Sequence, residues 1–492
     1  MADEPTLDAQ AEVSASSEVA PSPEQPHDLP LNHPALDNKK IFEKVMGSPA
    51  VALDRTINAS MRFNKAVVNQ LHFQKARDYW KTLGPGLTTG AADDDPSGIA
   101  TYSQTGAQYG FQLLWLSVFT FPLMAIVQEM CARIGLVTGR GLAANIRIFY
   151  PKWVLYLCTI LLFVANGLNI GADLGAMAKG AQLISPGLNF NLLVIFFTVL
   201  SLALQIFTTY EKYAKYLKWL ALVLLSYIFS AVMVHLDFHR MLSSAFIPSI
   251  TFSKNQIFII TAILGTTISP YLFFWQTSQE VEEQILEGKT SLRLRQEETT
   301  DKEVSNMRAD VWSGMLLSNL VMFFIIAACA ATLFANGTTN IATAADAAMA
   351  LRPIAGDGAY LLFAIGIIGT GMLAVPILAG SASYALSESL GWKTGLYRKL
   401  GSATPFYGVI IISMMVGMGI NFIGLDPIKA LLYSAVANGL AAPVVLVLIV
   451  LMSNNKKVVG HRTSHPIINI LGWVITGAMI IAGVATILSG II

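Results

Sequence analysis

The chain has 492 residues, of which 54% are apolar and 13% are charged. A soluble domain carries roughly twice that charged fraction, so a water-soluble protein is excluded and a polytopic membrane protein is implied. A formal net charge of +1 supplies no broad basic surface, so no nucleic-acid partner is expected, and composition leaves the oligomeric state open.

Residues 1–38 are rich in Pro, Ser and acids and too poor in apolar side chains to fold, which predicts a disordered cytosolic N-terminus without a secretory leader. Residues 39–80 set Lys44, Arg55, Arg62, Lys65, Lys75 and Arg77 among Ile, Phe, Val and Leu. That pattern suits either helices lying on the membrane surface or a solvated helical extension. Residues 81–492 read as one transmembrane domain. Counting stretches of roughly 20 apolar residues gives about eleven spans. They are Leu83–Gln108, Leu113–Leu136, Val154–Ile184, Leu192–Phe207, Leu217–Leu236, Ile257–Gln276, Val311–Phe334, Ala359–Leu386, Phe406–Ile423, Leu431–Met452 and Ile467–Leu488. Cys131, Cys158 and Cys329 sit in apolar surroundings, as small buried hydrophobes and not as a disulfide or zinc framework.

The first span is interrupted. Asp93, Asp94 and Asp95 stand at its middle, Pro96 follows directly, and Gly90 and Gly98 loosen the flanks. Proline removes a backbone donor and turns the preceding residue away from helical geometry. A carboxylate at membrane depth is costly and marks an ion pathway by default, and a broken helix there must line a cavity or pack in protein. The bland alternative is a short loop between two half-length helices. The sixth span is interrupted in the same manner, with Gly265 and Pro270 at its centre. Paired discontinuous helices in corresponding halves point to an inverted-repeat transporter with its site between them. Orientation follows from basic loop residues. Arg140, Arg147, Lys152, then Lys212, Lys215, Lys218, then Lys289 to Arg308, Lys393 to Lys399 and Lys456 to Arg462 fall on one side; the other holds Lys179, Arg240, Lys254 and Arg352. The bias predicts a cytosolic N-terminus and an extracytoplasmic C-terminus in the inner membrane of a bacterium.

Gly84-Pro85-Gly86 with Asp95-Pro96 resembles the first helix of the NRAMP family of divalent metal transporters, whose motif there is Asp-Pro-Gly-Asn. Gln128 to Ala143 is similar to that family's second helix and following loop, Asp173-Leu174 to an Asp-Leu pair in its third, and Met452 to Gly460 to the loop before its last helix. The resemblance implies an all-α LeuT-like fold of two inverted five-helix repeats plus a final helix, with the first and sixth helices unwound at the midplane. It also implies metal ligands at the breaks: the Asp95 carboxylate and the Ala92 carbonyl in the first, and Ser269 with the Thr266 carbonyl in the sixth. Asp94 and Asp93 are further candidate ligands. The family's Met-Pro-His falls on Ser269-Pro270-Tyr271, and its Asn falls on Gly98.

These departures carry chemistry. A thioether suits transition metals, whereas carboxylate, hydroxyl and carbonyl oxygens suit harder ions. Mg²⁺ dehydrates reluctantly and keeps several waters. The substrate expected is therefore a hard divalent ion, Mg²⁺ or Mn²⁺, with no resident cofactor. Tyr271 does not titrate near neutrality as a His does, which weakens the expectation of proton coupling; Asp173 is left either as a proton carrier or in an ion pair with Arg133 or Arg140. One of the three acids can instead simply cap the half-helix beyond the break. Asn166, Asn169 and Asn438 are read first as helix–helix hydrogen-bond partners, with a ligand or gate role as the lesser alternative. Two other functions fit the same architecture, a transporter of a small organic cation and a metal transceptor signalling through the N-terminal segment. An enzyme is not expected, since no nucleophile–base pair or cofactor motif occurs.

Overall fold

The computed structural model describes residues 83–208, 238–341, 343–352 and 356–490. The two N-terminal segments (1–38 and 39–80), the expected fifth span Leu217–Leu236 and the loop with Lys212, Lys215 and Lys218 lie outside the described residues.

All regular structure among the described residues is helical. In chain order the helices are α1 Pro85–Asp93, α2 Pro96–Tyr109, α3 Trp115–Thr138, α4 Leu142–Phe149, α5 Lys152–Ile184, α6 Phe190–Phe207, α7 Phe238–Phe246, α8 Lys254–Thr267 and α9 Pro270–Leu286. They continue with α10 Leu292–Glu297, α11 Asp301–Cys329, α12 Ala344–Ala348, α13 Ala359–Leu390, α14 Thr404–Ile420, α15 Pro427–Asn454, α16 Lys456–Val459 and α17 Pro466–Leu488. Among the described residues eight helical stretches are long and apolar enough to cross a membrane, counting α8 with α9 as one and α11 with its terminal π turn as another. The α14 helix is apolar but shorter, at 17 residues. The three cysteines are buried and unpaired.

The two interruptions have the same construction. The α1 helix stops at Asp93, Asp94 and Asp95 leave the helical region, and Pro96 occupies the first position of α2. The α8 helix stops at Thr267, Ile268 and Ser269 leave it, and Pro270 starts α9. Asp95 (φ −66°, ψ 172°) and Ser269 (φ −81°, ψ 134°) are both extended, as a residue preceding proline must tend to be. Each proline lacks an N–H at a helix start, where that donor has no intrahelical partner anyway.

The sixth span reaches further than its apolar stretch suggested. The α9 helix runs on to Leu286. Gln276, Gln279, Glu280, Glu282 and Gln284 on it are buried, so the start of what reads in the sequence as a charged cytosolic extension, Glu280, Glu282, Glu283 and the run to Glu303, packs into the protein as a polar segment. Glu282 shows why: it accepts hydrogen bonds from the Tyr384 hydroxyl and from the amides of Leu396 and Tyr397.

Two sets of helices surround the breaks. The α5, α6, α13 and α14 helices pack on one another, while α1 and α2 lie against α11, α9 lies against α3, and α3 against α11; α15 joins the sets by touching α2, α5 and α8. The α1 helix meets α11 backbone to backbone. A Cβ on Gly90 would lie 2.2 Å from the Gly314 carbonyl oxygen, and one on Gly314 would lie 2.1 Å from that of Gly86. Small residues at helix spacing permit such close approach, which compensates for the weak hydrophobic drive between helices in lipid.

The first turn of α1 is held from far away in sequence. Asp310 on α11 accepts hydrogen bonds from the amides of Gly84 (2.8 Å), Gly86 (2.6 Å) and Leu87 (3.1 Å). These are donors that a helix start leaves unsatisfied, and a carboxylate there also suits the helix dipole. Replacing Asp310 by Ala strands them. The expected outcome is a loss of about 3 kcal/mol, read as a lowered thermal midpoint of the purified protein, while Ser305→Ala, an exposed change on the same helix, leaves the midpoint nearly unmoved.

Candidate metal centre

The two breaks touch. The Tyr271 hydroxyl, on the first turn of α9, donates to the Ala92 carbonyl at 2.8 Å and lies 3.4 Å from Asp95 Oδ2. Ser97 Oγ and Thr266 Oγ1 are 3.3 Å apart, and the Tyr102 and Thr267 hydroxyls 3.2 Å apart. The acid cluster is thus walled by the second break and is not displayed in a solvent-filled loop: Asp93, Asp94 and Asp95 are each at most 1% exposed.

Asp95 has two jobs. Its Oδ1 accepts from Gly98 N at 2.8 Å and from Ser97 Oγ at 2.7 Å, which caps α2. Its Oδ2 turns towards α5 and accepts from Asn169 Nδ2 at 2.9 Å. The Asn169 carbonyl oxygen accepts in turn from Ser434 on α15 at 2.9 Å. One carboxylate therefore ties together α2, α5 and, through Asn169, α15.

The neighbouring acids face elsewhere. Ser318 on α11 is 2.6 Å from Asp93 Oδ2 and 3.4 Å from Asp94 Oδ1. Its single hydroxyl proton serves the shorter contact. Asp93 Oδ1 and Asp94 Oδ2 are buried without a hydrogen-bond partner. So are both oxygens of Asp173, although the Ser97 amide lies close by. The ion pair that was one of the two alternatives for Asp173 is absent among the described residues. Arg133 instead lies 3.9 Å from Glu129 and donates to Ser464, and none of the ion pairs among the described residues reaches the four aspartates.

Of the other predicted ligands, Ser269 donates to the carbonyls of Gly265 (2.6 Å) and Thr266 (2.8 Å). The carbonyls of Ala92 and Thr266 thus carry one hydrogen bond each and keep a lone pair free. Gly98 is confined: a Cβ there would be 3.1 Å from the Asp93 carbonyl and 3.3 Å from Thr266 Oγ1 and the Tyr102 ring. The set brought together is Asp95, Ala92, Thr266, Ser269 and Tyr271, with Asp93 and Asp94 turned to α11 and Asp173 left among Asp95 and Ser97. Among the described residues no three His, Cys, Asp or Glu side chains converge closely enough to hold a metal unaided. One thioether does approach, Met322 Sδ accepting from Thr267 at 3.9 Å. Asn166 forms its expected interhelical bonds, to Leu378 O and Ser381, but both polar atoms of the buried Asn438 have no partner.

Sequence reasoning passed over Ser97, Tyr102, Ser318 and Ser434, and put a ligand or gate role for Asn169 second to a helix bridge. A hydroxyl one turn inside a helix has no sequence signature that separates a site residue from one bonding its own backbone, as Thr101 does to Ser97 O.

A sequence model of the family described as natural resistance-associated macrophage protein-like (Nramp) matches residues 86–489. The chain belongs to the Nramp family. That places it among membrane transporters and not among enzymes. The divalent metal cation transporter MntH of Klebsiella pneumoniae subsp. pneumoniae is 26% identical over 411 residues, covering 81% of this chain and 91% of the relative. MntH of Aeromonas hydrophila subsp. hydrophila is 23% identical over 410 residues, covering 81% and 93%. Among solved structures, an Eremococcus coleocola manganese transporter in complex with an aromatic bis-isothiourea substituted compound superposes with a TM-score of 0.66 at 18% identity, over 84% of this chain and 87% of that one. The nucleobase-cation-symport-1 transporter Mhp1 gives a TM-score of 0.52 at 12% identity, over 83% and 91%. These likenesses show the fold, and this Nramp chain has the all-α LeuT-like architecture that its sequence implied.

Asn169 offers a direct test of the geometry. Asn169→Leu removes the donor to Asp95 Oδ2 and the acceptor of Ser434, and the expected result is metal binding weakened about tenfold. Isothermal titration of the purified variant measures it, and an unchanged affinity would separate Asn169 from the centre.

Proposed function

We propose that this Nramp chain carries a divalent metal cation across the membrane, and that the ion is a hard one, Mg²⁺ or Mn²⁺, moved with part of its water shell. The observation that carries the reading is the buried aspartate group at the meeting of the two breaks, with four carboxylate oxygens that have no partner and no basic side chain in an ion pair with it among the described residues. Uncompensated buried charge costs several kcal/mol per ion. A divalent cation at Asp95 relieves that cost, and an anionic substrate raises it. The oxygens close to Asp95 are the hydroxyls of Ser97 and Tyr271 and the carbonyl of Ala92, which favour a hard ion. The lack of a converging carboxylate cage leaves room for the waters that Mg²⁺ retains. The relatives named as divalent metal cation transporters support the substrate class.

In the proposed mechanism Asp95 is the central ligand, Ala92 and Thr266 contribute carbonyls, and Ser269 contributes its hydroxyl oxygen. Asn169 and Tyr271 orient the Asp95 carboxylate, and Asp93 and Asp94 supply negative potential from the α11 side. Asp173 acts through its field. Movement is driven by the membrane potential, worth about 2.3 kcal/mol per charge per 100 mV, without obligatory proton transfer, since a tyrosine stands at position 271. The basic loops face the cytosol, so the C-terminal end of α17 lies outside, in the inner membrane of a bacterium.

Uptake into proteoliposomes tests the substrate. Mg²⁺ and Mn²⁺ are expected to enter and compete with each other, and Asp95→Asn to lower uptake at least about tenfold. Entry of Fe²⁺ and Cd²⁺ with Mg²⁺ neither carried nor competing would defeat the hard-ion reading. The paired change Gly98→Asn with Ser269→Met restores an amide and a thioether, and is expected to raise the affinity for Cd²⁺ relative to Mg²⁺. A pH-sensitive dye inside the vesicles checks coupling, where stoichiometric acidification during metal entry rules out the uncoupled mechanism.

A further inference from the structure

At the end of the bundle carrying the basic loops, a cavity of about 280 Å³ opens between the α3–α4 turn, α9, α10 and the segment after α13. Its lining includes four cations, Arg140, Arg295, Lys393 and Arg398, and two carboxylates, Glu282 and Glu388. The acids are already satisfied from within the protein. Glu282 takes Tyr384, Leu396 N and Tyr397 N, and Glu388 takes Ser278 Oγ and Ala144 N, each at 3.1 Å. The cations keep donors to spare. Arg295 spends Nε on Gly139 O and Nη1 on the carbonyls of Lys289 and Thr290; Arg398 spends Nε on Thr394 O. Positive charge is therefore in excess, and the Arg295 and Arg398 bonds that fix the guanidinium groups in place leave terminal nitrogens unspent. Trp392, 41% exposed, and Tyr397 also line the cavity, and amphipathic rings of this kind settle at the headgroup level of a bilayer.

We propose that this cavity binds a phosphate-bearing anion, supplied by an anionic phospholipid headgroup or by free phosphate, and that its occupancy steadies the far end of α9. Guanidinium forks match phosphate oxygens bidentately, and basic pockets between transmembrane helices at the cytoplasmic surface take anionic headgroups. The route to the metal centre is short and rigid. Glu282 lies twelve residues beyond Pro270 on one uninterrupted helix, about 18 Å at helical rise. The bound anion bridges the loops that hold Glu282 and Glu388, and so holds α9 against α13.

The test uses the full-length protein in neutral detergent, titrated by native mass spectrometry with short-chain phosphatidylglycerol and, separately, phosphatidylcholine. Wild type is compared with Arg140→Gln/Lys393→Gln and with a control of equal charge, Arg293→Gln/Lys302→Gln, whose Arg293 is exposed and bound to Glu297. Phosphatidylglycerol is expected to bind wild type and control alike and the cavity variant about tenfold more weakly, with phosphatidylcholine indifferent to all three. Added inorganic phosphate that displaces phosphatidylglycerol identifies free phosphate as a ligand of the same site; phosphate without effect assigns the site to the lipid alone. Equal phosphatidylglycerol affinity in the cavity variant and wild type overturns the proposal. Metal titration of the cavity variant reports whether it has folded. Should it fail, Lys393→Gln, at an exposed position, replaces it, and an unchanged phosphatidylglycerol affinity there overturns the proposal as well.

Discussion

The structure turns on the cost of negative charge kept away from water. Asp93, Asp94, Asp95 and Asp173 are all buried, and in low dielectric an ionised carboxylate without a counter-charge is among the most expensive groups a chain can carry. Hydrogen bonds offset that cost most fully for Asp95, with Asp93 helped by the Ser318 hydroxyl. The helix start at Gly98, the Ser97 hydroxyl and the Asn169 amide surround Asp95, and the other three retain bare oxygens. A group so placed is stable only with a cation or a proton nearby, and this gives the broken helices their purpose.

The same logic explains why each break ends in proline. A helix interrupted in lipid exposes carbonyls and amides that nothing outside the protein can satisfy. Proline at the first position of α2 and of α9 deletes one of the stranded donors and fixes the backbone for the helix that follows. What remains unsatisfied points inward, where the two breaks answer each other through Tyr271 and Ala92. The two breaks differ in their donor groups, and at the second a serine stands at 269 where the pattern the sequence resembles has a methionine.

Much of this was legible without coordinates. Hydrophobic stretches set the spans, charge with proline marked the first break and glycine with proline the second, because those signals are local. The family resemblance pointed to Asp95 and the second break. The long polar course of α9 was not legible, since Glu280 and Glu282 resemble a solvated run unless one knows that Gln276 and Tyr384 meet them. Nor were the partners of the acids. Nothing in the sequence tells that Ser318 faces Asp93 or that Asn169 faces Asp95, because these pairings depend on helix rotation, which hydropathy does not encode. The choice left open for Asp173, proton carrier or ion pair, turns on the same unknown, and Arg133, one of the two candidate partners, lies against Glu129.

The grip of Asp310 on the opening turn of α1, with the glycine-to-glycine seam just beyond it, bears on how such a carrier works. The short rod is fastened to its neighbour at one tip and along one side, so it swings as a passenger of α11 or else first lets go of three amides. Three hydrogen bonds and a glycine seam thus couple the opening turn of α1 to the position of α11.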